Sequence, residues 1–281
     1  MKCLMSLLMV GLMATAAGAD LIGSEDFDGG AVNLTGTTNV FDRGAGGGTL
    51  GDVFGRCSQY AGGAGTGGPY EVFDDTVTDT SGGGVYPGDY LGIAGQNSTA
   101  FFAMNDMDGA DGPGLNDAVW TFDVSTMISL TNITIDIAAM GDFEASSTDG
   151  FLIEARIDAG AYLEIFKGRT DEAAYKTYRL MDDGVTAFAD DDPLELSIDG
   201  TATGIYLDKC VAATGDFDSY TSIALAGGSG STLDIRVSWA GTPSGSEPMG
   251  FDNFTINGTV PEPTSLALLA IGGLAILRRR R

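Results

Sequence analysis

The sequence predicts an all-β protein built as an antiparallel β-sandwich of the jelly-roll kind. Two patterns carry this. Several segments alternate apolar and polar residues with period two, the signature of strands with one buried and one wet face. Those segments are bounded by Gly, Asp, Asn and Ser, and the 43 glycines show no G-X-Y repeat, so they mark turns and bulges rather than collagen. Many short strands with turn signals between them favour a sandwich or jelly roll.

In chain order, Phe27 marks a first strand. Gly44–Gly48, Gly62–Gly68 and Gly82–Gly84 then mark a loop-rich stretch with a faint strand pattern between Gly29 and Gly88. Val53, Phe54, Tyr70, Val72, Phe73 and Tyr86 supply apolar mass there. Ile133, Ile135 and Ile137 alternate with Asn132, Thr134 and Asp136, and Phe151, Ile153, Ala155 and Ile157 with Leu152, Glu154 and Arg156. Asp171–Tyr178 reads as one short helical turn. Leu194, Leu196 and Ile198 form the next strand, and Leu233, Ile235, Val237 and Trp239 the one after it. Phe251 and Phe254 mark a last strand, expected to lie beside the first, as closure of a jelly roll requires.

Charge narrows the function. The net charge is −25, with 39 acidic residues, 14 basic ones and no His. Nucleic acid is excluded as a partner, because its phosphates need Lys and Arg to displace counterions. Without His there is no Ser-His-Asp or Cys-His mechanism, and the commonest zinc ligand is missing. Many carboxylates suit divalent cations instead. Of the three cysteines, Cys3 lies in the N-terminal leader, which leaves Cys57 and Cys210 as a disulfide candidate in an oxidising compartment.

The ends read as addresses. Residues 1–19 carry Lys2, an apolar run from Leu4 to Met13 and the small-x-small site Ala17-Gly18-Ala19, the layout of a secretory signal peptide. Cleavage after Ala19 makes Asp20 the mature N-terminus, with 20–259 as the β-domain and 260–281 as a tail. In the tail, Leu266 to Leu277 is apolar and Arg278, Arg279, Arg280 and Arg281 close the chain. As a helix that run is about 18 Å long at ~1.5 Å per residue, short against a bilayer core of roughly 30 Å. The arginines would hold their end on the cytoplasmic side.

Pro261-Glu262-Pro263, an apolar stretch containing Gly272-Gly273, and the terminal Arg cluster together resemble the PEP-CTERM sorting signal of bacterial exported proteins. The resemblance implies an exosortase, a membrane-embedded processing enzyme, as partner, a transient membrane anchor, and a place in the cell envelope or the extracellular polysaccharide matrix. The domain between the ends loosely resembles lectin-like and MAM-type jelly rolls. The stretches that carry this are Glu25-Asp26-Phe27-Asp28, Thr121-Phe122-Asp123-Val124, Asp149-Gly150-Phe151-Leu152-Ile153 and Gly250-Phe251-Asp252-Asn253-Phe254. That resemblance implies a structural Ca²⁺ shared by the first and last strands, with Glu25, Asp28, Asp149 and Asp252 as ligands and Asp26 as the register alternative to Glu25. The loop Asn105–Asp117 has calcium-like Asp spacing but fails the EF-hand pattern at Ala110 and lacks a closing Glu.

Sugar binding needs aromatic platforms, for which Trp120, Tyr162, Tyr206, Tyr220 and Trp239 are candidates; the strand register puts Trp239, and the approach to a strand puts Trp120, in the core instead. The resulting expectation is a non-enzymatic surface or matrix protein that binds polysaccharide through a Ca²⁺-stabilised sandwich. The alternatives are a polysaccharide hydrolase using two carboxylates and a purely structural matrix component.

Overall fold

A computed structural model describes residues 19–27, 34–35, 53–58, 73–74, 89–90, 100–105, 117–139, 143, 149–174, 176–179, 187–190, 193–207, 217–241, 247 and 249–261. The strands are β1 (Asp20–Glu25), β2 (Leu34–Thr35), β3 (Val53–Ser58), β4 (Phe73–Asp74), β5 (Asp89–Tyr90), β6 (Ala100–Asn105), β7 (Asp117–Asp123), β8 (Ser129–Ala139) and β9 (Gly150–Ile157). They continue with β10 (Leu163–Thr170), β11 (Lys176–Arg179), β12 (Ala187–Asp190), β13 (Leu194–Ile198), β14 (Thr201–Tyr206), β15 (Asp218–Ser222), β16 (Thr232–Ala240) and β17 (Met249–Thr259).

Two large antiparallel sheets form. Sheet A runs β15-β8-β17-β6-β3, with β1 also paired to β17, and sheet B runs β14-β13-β10-β9-β16-β7-β2. Strands β4–β5 and β11–β12 form two further two-stranded ribbons. The predicted antiparallel sandwich is therefore the architecture found. The period-two segments bury the expected faces: Ile133, Ile135, Ile137, Phe151, Ile153, Ala155, Leu194, Leu196, Leu233, Ile235 and Val237 are all in the core. Each inward register has an outward one, and Asp234 lies opposite Thr121 and Arg156 on the outer face of sheet B.

Aromatic rings join the sheets. Phe27 packs edge-on to Trp120 and Phe254 at 5.7 and 5.4 Å, and Trp120 meets Phe102 and Phe254 at 4.9 and 5.1 Å. Nearer the other end, Phe151 of sheet B meets Phe251 of sheet A at 5.0 Å. Edge-to-face pairs of this kind add to the area they bury. Gly168 is fixed by close approach, since a Cβ there would sit 2.5 Å from the Phe151 ring.

Terminal strands pair as predicted: β1 runs antiparallel to β17 from Asp20↔Gly258 to Glu25↔Phe254. Strand β17 also accommodates β6 along Met249–Phe251. Between these two partners the register slips at Asp252–Asn253, where Asn253 has φ 48°. This bulge explains why Phe251 and Phe254, three residues apart, both point inward, which an unbroken strand forbids.

One expectation is corrected. The helical turn read into Asp171–Tyr178 is a tight turn closed by Ala174 N donating to Asp171 O at 3.0 Å, followed by strand β11. Asp171 Oδ1 accepts from Ala173 N and thereby favours the turn. The β-branched Thr177 and the aromatic Tyr178 then suit a strand.

Candidate functional site

The acids proposed for calcium occupy different places. Glu25 ends β1 on the inward register opposite Phe254 and is 1% exposed, its Oε1 accepting from Phe27 N at 2.9 Å. Asp252 is 3% exposed on the outward register opposite Asp136, and its Oδ1 accepts from Asn253 N at 2.7 Å. Asp149 is 2% exposed and precedes β9 in the other sheet, its carbonyl accepting from Thr170 Oγ1. Three carboxylates are thus buried, as is Glu247, but among the described residues no group of three or more His, Cys, Asp or Glu is placed to hold a metal ion. Asp28 and most of the Asn105–Asp117 loop lie outside the described residues. So does Cys210, and with it the Cys57–Cys210 pairing; Cys57 itself is in β3.

The aromatic candidates divide by exposure. Trp120 is fully buried, Tyr220 is buried, and Trp239 is half-buried and packs on Phe54 at 5.0 Å. Tyr206 and Tyr162 reach the surface. The Tyr206 hydroxyl donates to Asp171 Oδ2 at 2.5 Å. This bond holds the Asp171 carboxyl below its ordinary range and pushes the Tyr206 phenol up.

Tyr162 stands in the most organised polar surface of the described residues. It precedes β10, and its ring meets two cations that project from the outer face of sheet B. The guanidinium carbons of Arg156 and Arg236 lie 4.4 and 4.0 Å from the ring centre. Arg156 Nε donates to Asp234 Oδ2 at 2.9 Å, and the Thr121 hydroxyl donates to Asp234 Oδ1 at 2.7 Å. Arg236 Nε donates to Glu154 Oε2 at 3.0 Å, and Asp117 lies 3.8 Å from its Nη1. Partial burial pushes the Tyr162 phenol up, against the pull of Arg156. The network is built by register: Arg236 pairs with Glu154 and Arg156 with Asp234 across β9 and β16. Opposite charges directly across two strands attract, and the ring limits the motion of both long side chains.

The alternation in the sequence already placed Glu154, Arg156, Asp234 and Arg236 outward. The pairing between them depended on the β9–β16 register, which no local pattern specifies. Chemically, the surface offers a half-exposed ring of restrained orientation, flanked by hydrogen-bonding groups held in fixed directions.

The chain thus joins an antiparallel β-sandwich to a C-terminal tail that begins where its last strand ends, at Thr259. That tail is a sorting signal: residues 259–281 match the family described as the PEP-CTERM protein-sorting motif, so the chain carries this motif and is marked for sorting at the cell envelope. Pro261 is the last described residue, and Glu262, Pro263 and the Arg cluster lie beyond it.

No curated protein matches the chain in sequence. Among solved structures it is similar to the K3 cleaved adhesin domain of Lys-gingipain from Porphyromonas gingivalis w83, at 12% identity over 85% of this chain and 100% of that one, with a TM-score of 0.35. It is also similar to TmCBM27, a carbohydrate-binding module studied for specific mannan recognition, at 11% identity over 87% and 100%, with a TM-score of 0.32. The binding domain of botulinum neurotoxin serotype G follows at 10% identity over 61% and 42%, with a TM-score of 0.26. At these scores the likeness carries no argument, and the fold rests on the strand pairing given above.

Proposed function

We propose that this is a non-enzymatic binding protein delivered to the cell envelope. In this reading the signal peptide is removed after Ala19, the tail holds the chain in the membrane transiently, and an exosortase cuts the tail away. The observation that carries the proposal is the junction between fold and motif. The matched residues begin at Thr259, the last residue of β17, so the described sandwich precedes the motif and stands as its cargo.

The ligand we assign to the cargo is extracellular polysaccharide, held on the outer face of sheet B at Tyr162. A sugar presents one face of C–H bonds, which stacks on an aromatic ring, and a rim of hydroxyls, which pair with carboxylates and guanidinium groups. Tyr162 with Arg156, Arg236, Glu154 and Asp234 supplies both. The carboxylates of this surface have oxygens engaged by guanidinium groups, an arrangement suited to holding rather than to cutting. A structural Ca²⁺ belongs to the reading too. Its support is the burial of Glu25, Asp149 and Asp252 in so acidic a chain, not their convergence.

Glycan-array binding by the mature chain tests the assignment. Tyr162→Ala is expected to weaken binding at least about tenfold, the order of one lost stacking contact with its hydrogen bonds, and no reducing sugar should appear. Release of reducing sugar, abolished by a single Asp or Glu change, would replace the reading with the hydrolase. A correctly processed chain that binds no glycan would leave a structural matrix component.

A further inference from the structure

We infer that the end of the sandwich from which the tail leaves is a lipid-contacting surface, resting on the bilayer interface while the tail is in place. This builds on the sorting reading above and adds an orientation for the cargo.

Five large apolar side chains are well exposed among the described residues, and three of them gather at this end: Leu21 (61%), Ile128 (55%) and Ile223 (63%). Leu21 pairs with Asn257 on β17, and Asn257 in turn pairs with Asn132 on β8. The β8–β15 register, continued by one residue past Ser222↔Ile133, sets Ile223 beside Asn132. One rank across four strands therefore has an exposed apolar residue at each side. Ile128 sits at the exit itself, its N–H donating to Thr259 O at 2.7 Å.

This end is also free of charge in its main segments. No charged residue occurs in 124–135, 219–233 or 253–261, in a chain of net charge −25. The loop Ile223-Ala224-Leu225-Ala226-Gly227-Gly228 is tied to Leu130 by backbone bonds of 2.7 and 2.8 Å, so it is held in place rather than loose. One acid, Asp20, stands exposed at this end, beside Leu21 and opposite Gly258, while the acids of the adjoining turns have structural partners. Asp158 Oδ1 accepts from Ser231 N and Thr232 N, and Asp199 accepts from the Ser222 hydroxyl and from Ile223 N.

Tail length selects the occupant. From Pro261 the apolar run starts at Leu266, a reach of at most about 18 Å at ~3.5 Å per residue. With the run in the membrane, the sandwich lies against the interface, and the face turned toward it is the one around Thr259. A surface with apolar tips and Asp20 as its exposed acid is suited to that interface, whereas the strongly acidic remainder of the molecule is suited to water.

The test uses the mature chain with its tail, reconstituted with phosphatidylcholine–phosphatidylethanolamine vesicles and followed by hydrogen exchange. Amides of 124–128 and 223–229 should slow severalfold on vesicles, while those of β6 and of Met249–Phe251, at the far end, stay unchanged. Leu21→Ser/Ile128→Ser/Ile223→Ser should still sediment through the tail, but with that slowing lost and vesicle affinity about tenfold lower, as expected for partial burial of three side chains. Should the variant fold poorly, exchange in the wild-type chain decides alone. Wild-type chain that sediments with unchanged exchange at this end overturns the inference and leaves the sorting reading intact. A chain that does not sediment overturns both. Lipid-free self-association abolished by the triple change would assign the surface to a second copy, and would equally overturn the inference.

Discussion

Phe27 offers a direct test of how the sheets are held together. It is fully buried and meets three other rings, Phe102 and Phe254 of sheet A and Trp120 of sheet B. Truncation to alanine removes a whole ring from a site walled by large rigid side chains that collapse poorly, so the cost belongs in the range of about 3–5 kcal/mol for buried Phe→Ala. For a domain of this size 1 kcal/mol corresponds to roughly 2–4 °C, which puts the fall in Tm near 10 °C. Phe27 also has φ 58°, in the left-handed region. Ala keeps that backbone strain and Gly relieves it, by about 1 kcal/mol. Phe27→Gly should therefore be more stable than Phe27→Ala, the reverse of the order at an ordinary strand position. Urea and thermal unfolding of both variants check this. A loss below about 1 kcal/mol would refute the bridging role of the ring, and a glycine variant less stable than the alanine one would refute the strained backbone.

Three further outcomes are expected. The Asp158 carboxyl is held below its ordinary value by the N–H groups of Thr232 and Ser231, so its contribution is present above the unfolded value, near 3.9, and is lost as pH falls through the depressed folded value. Asp158→Asn should flatten the acid limb of stability below about pH 4, and an unchanged limb would show that the carboxylate has no such role. Chelation with EDTA should lower the Tm of the mature chain, with Asp252→Ala removing most of that response; coincident melting curves would dispose of the structural ion. Intact mass of protein from a host that has an exosortase should show a chain that starts at Asp20 and lacks Arg278–Arg281, whereas an uncut C-terminus would count against processing.

The strands legible in the sequence were those with one wet face. Ile133–Ile137, Leu233–Trp239 and Leu194–Ile198 alternate so regularly that period alone fixed the face they bury, and for the last its extent, whereas β8 runs on to Ser129–Ala139. The pairing of the two terminal strands was legible too, from Phe251 and Phe254 and from Phe27, which lies two residues past the end of β1, though the bulge that turns both Phe251 and Phe254 inward was not, because Asp252-Asn253 reads like any polar pair. Asp171–Tyr178 misled because an Asx turn and one helical turn use the same residues. Candidate site residues were harder still. Acids are so common here that spacing does not select among them, and the Tyr162 surface depends on contacts between residues some 80 positions apart, such as Arg156 with Asp234. The exposed apolar end was hidden for the same reason: Leu21, Ile128 and Ile223 share one end of sheet A only through the pairing of β1, β17, β8 and β15.

Strand β17 lies in the interior of sheet A, with β8 along one side and β6 and β1 sharing the other. It is also the last part of the domain to be synthesised. Until those final residues arrive, β1 lacks the strand it pairs with and the ladders of β17 with β8 and β6 cannot form, so closure waits on the whole chain. On the proposed export route, translocation would meet a polypeptide that has not locked, and the residues that complete the fold lead directly into the sorting motif.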